Sequence, residues 1–267
     1  MSNLRNDAAL LVIDAQVDFC DVPNAALPVD GAVKDIERIS SFIGRVSPDS
    51  IFASLDSHYS LDISHPKWWK DSMGNNVSPF TLITSDDIQN GKYTPRIDPV
   101  GSLNYVKQLE ANGEFSHFIW PEHCLIGTAG HALHPIFFDA ISDWMNKKLK
   151  WAMFINKGIN PCTEHFGIFR ANVPITNDST TTVNQAIFNT LKQFGTVFLS
   201  GEARSHCVAN SLKQIIEIAP DLLPKLVILE DCMSDVKGLQ SDFYKQVDTI
   251  YASAKANGAK FAKSTDF

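Results

Sequence analysis

The chain lacks a basic stripe, a CxxC pair and any apolar run approaching the roughly 18–20 residues of a membrane span. With 267 residues and a net charge of −7, it does not read as a nucleic-acid or membrane partner. Its five cysteines, Cys20, Cys124, Cys162, Cys207 and Cys232, are odd in number and far apart. That argues against a disulfide framework or a structural zinc knuckle, and Cys232 reads as a small buried apolar residue. The opening run Met1-Ser2-Asn3-Leu4-Arg5-Asn6-Asp7 lacks a signal peptide's apolar core. These absences together predict a cytoplasmic protein. No GxGxxG follows the first apolar strand, which disfavours a dinucleotide-binding dehydrogenase. There is no internal repeat, low-complexity segment or dividing linker, so residues 1–267 are expected to form a single domain.

Hydrophobic residues make up 44% of the chain and charged residues 20%, enough apolar material for a substantial core. Short apolar runs alternate with longer amphipathic ones. Strands are expected at 8–14, 51–56, 115–120, 151–156, 196–201 and 225–230. Helices are expected at about 31–46, 99–112, 131–148, 184–194, 206–217 and 240–257. This alternation predicts an α/β protein with a parallel sheet covered on both faces. Residues 57–98 break the pattern, being rich in Ser, Asp, Pro and Asn around Trp68 and Trp69. They are read as a functional excursion, an inserted loop or lid spanning about 57–114.

Three predicted strand ends carry complementary chemistry. Leu199-Ser200-Gly201-Glu202-Ala203-Arg204-Ser205-His206-Cys207-Val208 places a thiol where a strand and turn give way to a helix. Helix dipoles there favour the thiolate, the nucleophilic form. Asp14 closes the first strand and is the expected base. Lys157, before Gly158, would balance charge and stabilise developing negative charge. Strand ends of a parallel sheet bring such residues to one crevice. Asp18 and Gln16 are read as holding the loop after Asp14. The amides of Ala203 and Cys207 are the expected oxyanion donors. His206 is a rival base, but at a helix start its side chain should point away.

A second cluster is Asp56-Ser57-His58, then His65, then His123 after the next strand. Residues two apart on a strand share a face, so Asp56 and His58 can bind one ion. One carboxylate and three imidazoles suit Zn²⁺, Fe²⁺ or Mn²⁺. His117, His131, His134 and His165 are left as ordinary histidines.

Taken in order, these segments resemble the nicotinamidase branch of the isochorismatase-like cysteine hydrolases. The matching pieces are Asp14-Ala15-Gln16-Val17-Asp18-Phe19-Cys20, Leu27-Pro28-Val29-Asp30-Gly31-Ala32, Asp56-Ser57-His58 with His65, Trp120-Pro121-Glu122-His123-Cys124, Lys157-Gly158 and the run from Gly201 to Val208. The resemblance implies a three-layer αβα fold with a six-stranded parallel sheet and an Asp14, Lys157, Cys207 triad. It implies metal ligands Asp56, His58, His65 and His123, and a cis peptide between Glu202 and Ala203. Phe19 and Trp120 would line the ring pocket. The chain departs from the family pattern at Val17, usually Asn, and at Glu122, usually Pro. It also departs in the run Glu164-His165-Phe166-Gly167-Ile168-Phe169 and in a longer 66–114 segment. Those departures, with Glu202 and Arg204, bear on substrate choice.

The sequence therefore predicts a metal-containing cysteine amidohydrolase, with nicotinamide as the first candidate substrate and ammonia as a product. Another small amide, ureido or carbamoyl substrate is the nearest alternative. A metal-binding sensor or partner protein without catalysis is a further one. Homo-oligomerisation is compatible with the chain, although no apolar face for it can be picked out.

Overall fold

The computed structural model describes residues 7–238 and 240–267, so the opening run read above lies, apart from Asp7, outside the described residues. In chain order the elements begin with β1 (Ala8–Ile13), α1 (Ala32–Val46) and β2 (Ser50–Asp56). The excursion follows with β3 (Trp69–Asp71), α2 (Ser85–Gln89), β4 (Tyr93–Pro95) and α3 (Pro99–Ala111). Then come α4 (Pro135–Lys148), β5 (Met153–Lys157), α5 (Gln185–Leu191), β6 (Thr196–Gly201) and α6 (Ala209–Ile218). The chain closes with β7 (Leu226–Leu229), α7 (Ser241–Ala256) and β8 (Lys260–Ala262).

Six strands form one sheet in the order β5-β2-β1-β6-β7-β8, and every pairing in it is parallel. β1 shows why a parallel sheet needs cover on both faces. All six of its residues are buried. Ala9, Leu11 and Ile13 enter the core beneath α5, α6 and α7. Ala8, Leu10 and Val12 enter the core beneath α1 and α4. The period of two divides an unbroken apolar run between two helical layers, giving the three-layer αβα architecture. Strand order reverses at β1, which lies between β2 and β6. The crevice above that reversal is where open α/β sheets bind ligands.

Two expectations about the sheet are corrected. Residues 115–120 are not one of its strands. Their backbone instead pairs irregularly with the excursion, Ile83 N–H donating to His117 O at 3.0 Å and Ile119 N–H to Thr81 O at 2.9 Å. The sixth strand is β8, three residues at the sheet edge with too little apolar content to show a period. Two helices also begin later than expected. Pro135 opens α4, and residues 131–134 remain loop because proline fits the first turn of a helix better than its interior. A π-type turn, Arg204–Val208, precedes α6.

The excursion is folded rather than loose. β3 and β4 pair antiparallel. Trp68, Trp69, Val77, Ile83, Tyr105 and Leu109 belong to a core cluster of their own. The indole of Trp69 donates to Ile63 O at 2.7 Å, and that of Trp68 to Ser102 Oγ at 3.0 Å.

Candidate active site

Each predicted strand-end residue lies on the same crevice. Asp14 follows β1 at φ +45°, a left-handed conformation rare outside glycine. Its amide donates to Ser54 Oγ at 3.0 Å, and that hydroxyl donates back to Asp14 Oδ1 at 2.5 Å. Lys157 ends β5, and its ammonium is entirely buried. Nζ lies 3.0 Å from Asp14 Oδ2, 2.9 Å from Asp56 Oδ1 and 3.6 Å from Cys207 Sγ. A buried lysine with two carboxylates stays charged: burial pulls its pKa down, but Asp14, Asp56 and Cys207 outweigh that and raise it well above the usual value.

Cys207 sits inside the π-type turn rather than at the first turn of α6. The expected thiolate preference is not what this environment favours. Burial pushes the thiol well above the usual cysteine value. Lys157 opposes this, while Asp14 and Asp56 add to it. The resting group is a thiol, so attack requires a base, and Asp14 is within reach. Burial, opposed by Lys157, also raises the Asp14 carboxyl, which strengthens it as a proton acceptor.

Gly201 permits this arrangement. Its φ is +119°, and a Cβ there would lie 2.0 Å from Ile13 O. The next amide, Glu202 N–H, donates to that same oxygen at 2.8 Å, locking the β6 turn to the end of β1. The Glu202–Ala203 peptide is cis. Ala203 and Cys207 share the lining of a small chamber with Phe19, Trp120, His123, Phe166 and His206.

The second cluster adjoins the first through Asp56. Ligand atoms of Asp56, His58 and His123 all lie within 4.8 Å of one another. His65 stands beside this group rather than in it, its ring centre 5.0 Å from that of His58 and 5.3 Å from that of His123. In each imidazole Nδ1 is committed elsewhere. His58 Nδ1 donates to Asp62 Oδ2 at 3.1 Å, His65 Nδ1 to Tyr59 O at 2.9 Å, and His123 Nδ1 to Pro121 O at 2.8 Å. That leaves the Nε2 atoms of His58 and His123 as candidate ligands, with their rings oriented by outer partners as in metal sites, while His65 Nε2 lies 3.4 Å from His123 Nδ1. His58 Nε2 lies 3.2 Å from Asp56 Oδ2. Burial pulls the His58 imidazole down, but Asp56 and Asp62 outweigh that and raise it well above the usual value. Two imidazoles and a carboxylate converging in this way fit a divalent metal, which would take the place of the proton between them. Burial, with His58 and His123, pulls His65 down to about 2, which keeps it neutral and able to ligate.

The loop bearing His123 is drawn in by backbone pairing, not by a neighbouring strand. His58 N–H donates to Cys124 O at 3.1 Å, and Ile126 N–H to His58 O at 3.0 Å. Asp18 and Gln16 hold these loops: Cys124 N–H donates to Asp18 Oδ2 at 2.7 Å, and Gln16 brackets Asp56 through both its backbone groups.

Three residues take places that the sequence reading did not give them. His206 does not turn away. It is buried, lines the chamber and is pulled down to about 3 by burial, so it is neutral and a poor rival base. His165, read as ordinary, accepts from Gly158 N–H at 3.1 Å beside Lys157. Glu164 is a buried carboxyl on the chamber wall with Asp56 and Cys207. Its place seven residues after Lys157 gave no periodic or motif signal.

This fold, with strand-end residues converging above the reversal at β1, is the isochorismatase-like hydrolase fold. Among solved structures, the chain is similar to a nicotinamidase/pyrazinamidase of Acinetobacter baumanii, with 21% identity over 98% of each chain and a TM-score of 0.63. It is similar to the yeast nicotinamidase Pnc1p bound to the inhibitor nicotinaldehyde, with 19% identity, 96% and 99% coverage and a TM-score of 0.62. It is also similar to a Pyrococcus horikoshii pyrazinamidase in complex with zinc, with 17% identity, 96% and 99% coverage and a TM-score of 0.52. No protein-family model matches the chain, and no curated protein does.

Proposed function

We propose that this protein is a metal-containing cysteine amidohydrolase that releases ammonia from a small amide, with nicotinamide the first substrate to test. One observation carries the reading: a single buried ammonium, Lys157, contacts Asp14, Asp56 and Cys207 together. A structural lysine needs one carboxylate, whereas this arrangement joins a base, a thiol and a carboxylate of the histidine cluster. The solved nicotinamidases of similar fold support the same chemistry.

In this mechanism Asp14 takes the Cys207 proton as sulfur attacks the amide carbon. Lys157 holds both groups in place and offsets the charge that develops. The Ala203 and Cys207 amides would receive the carbonyl oxygen. Asp14 then returns its proton to departing ammonia, and water resolves the thioester by the reverse sequence. Asp56, His58 and His123, with His65 beside them, would hold Zn²⁺, Fe²⁺ or Mn²⁺. When bound, the metal supplies a Lewis-acid contact for a substrate heteroatom or a water. Phe19 and Trp120 flank the space left for the substrate.

All five cysteines are free, which supports a reducing, cytoplasmic setting. Among the described residues no helix is long and apolar enough to cross a membrane. We further propose that copies of this chain associate through the β5 edge.

The test is ammonia release from nicotinamide by metal-analysed protein, with Cys207→Ala alongside. Release by the wild type alone is expected, with both proteins giving the same circular dichroism. Equal release by the folded variant sinks the nucleophile. No release from nicotinamide or from a panel of small amides sinks the activity.

A further inference from the structure

The chamber above Cys207 encloses about 30 Å³, room for about two waters. That suffices for the few heavy atoms of a carboxamide but not for the ring that carries it. Three of its walls, Trp120, Phe166 and His206, are also walls of an outer cleft of about 230 Å³. The cleft therefore adjoins the chamber along these rings, and a substrate with its carboxamide at Cys207 presents whatever lies beyond its first ring to the cleft.

The cleft is built for an apolar occupant. His206 packs face to face with Phe243 at 4.9 Å between ring centres and edge-on to Trp120 at 5.1 Å. Phe115 stands 5.0 Å from Phe243 and 6.0 Å from Phe166. No lysine or arginine is among the described residues lining it, and its one acidic wall residue, Asp242, is paired with Lys245 at 2.8 Å. Burial pulls His206 down to about 3, so it adds no positive charge. Such a wall accepts neutral groups, attracts cations to its ring faces and leaves an anion without a partner to offset its desolvation.

We infer that the substrate is an aryl carboxamide extended by an apolar arm, uncharged or cationic, which lies in the cleft against Phe118 and Phe243. This rests on the amidohydrolase reading above and adds the substrate's shape and charge to it. Benzamide is too short to reach beyond the chamber's border, whereas biphenyl-4-carboxamide reaches the cleft.

Three probes test it: benzamide, biphenyl-4-carboxamide and the latter with a distal carboxylate. The metal-loaded enzyme is expected to favour the biphenyl amide over benzamide by at least about tenfold in kcat/KM, and to disfavour the carboxylate analogue by a similar factor. Phe243→Ala should bring the biphenyl-to-benzamide ratio close to one. A wild-type ratio of one or less overturns the inference, as does a Phe243→Ala effect equal on both amides. If no amide is hydrolysed, calorimetry on the Cys207→Ala protein separates the two ideas. Tighter binding of the biphenyl amide upholds the cleft and removes the hydrolase reading, while equal or absent binding removes the cleft.

Discussion

Lysine at a strand end is usually solvated, and only the company of Lys157 changes that reading. The sequence placed it beside Asp14 and Cys207, but not that Asp56 would be its third partner. Pairing of β2 with β5 aligns Asp56 opposite Lys157, and strand register of that kind cannot be read from either segment alone. The thiol shows the opposite lesson. A helix start predicts a low pKa, yet burial among carboxylates wins because desolvating a thiolate costs more than end dipoles return. Glu202 carries a residue-scale prediction. It is fully buried beside Asp35, and both carboxyls converge on Ser234, through its amide at 3.4 Å and its hydroxyl at 2.5 Å. Arg38 compensates only Asp35, at 3.0 Å, while Asp21 adds further negative charge. Burial, then Asp35, holds the Glu202 carboxyl well above its ordinary value of 4.5. A group that binds its proton more tightly when folded costs stability as pH rises above its unfolded pKa, by up to about 1.4 kcal/mol per pH unit until the folded pKa is passed. Glu202→Gln keeps a donor and cannot ionise. Its melting temperature should exceed the wild type's most at pH 8 and least near pH 4. Thermal melts across that range check this, and a gap independent of pH would contradict it.

At the level of elements, the six-stranded parallel sheet was legible because its central strands are unbroken apolar runs, β1 most plainly. Its margins were not. Residues 115–120 have the aromatic and β-branched composition of a strand, but Phe115, Phe118 and Trp120 serve the cleft and chamber instead. β8 is a strand only because β7 templates it. The excursion read as loop because its hairpin strands are three residues each, too short for alternation to register. The element with the least tolerance is the β6 turn. Gly201→Ala puts a methyl 2.0 Å from Ile13 O at φ +119°, against backbone that cannot move without displacing Asp14. Destabilisation of about 4 kcal/mol or more is expected from chemical denaturation, with loss of turnover. A variant of wild-type stability would show that the β1–β6 junction is not as tight as these contacts make it.

At the scale of the whole molecule, the sheet has one poorly covered end. β5 pairs only with β2 and is an edge strand, yet Met153 and Phe154 are 42% and 45% exposed. Alternation divides its duties: Ile155 and Lys157 face inward, while Phe154 and Asn156 line a groove of about 570 Å³ with Leu55, Leu133 and Phe138. Trp151 at 90%, Leu149 at 88% and Phe138 at 49% exposure extend the apolar surface along the same edge. At roughly 150–250 Å² for a full aromatic side chain, these residues expose on the order of 600 Å². That approaches the roughly 800 Å² each partner contributes to a standard interface. An edge strand with such a surface templates association unless it is blunted by charge, and no charged side chain interrupts Trp151–Asn156. A second copy related by a two-fold axis covers this surface with the same surface, so one substitution strikes the contact twice. Phe154→Asp is therefore expected to shift sedimentation from dimer to monomer at micromolar concentration. Because residue 154 faces away from Lys157, the variant should keep its secondary structure and its metal content. A wild type that sediments as a monomer would leave this edge unpartnered by its own kind and remove the homodimer.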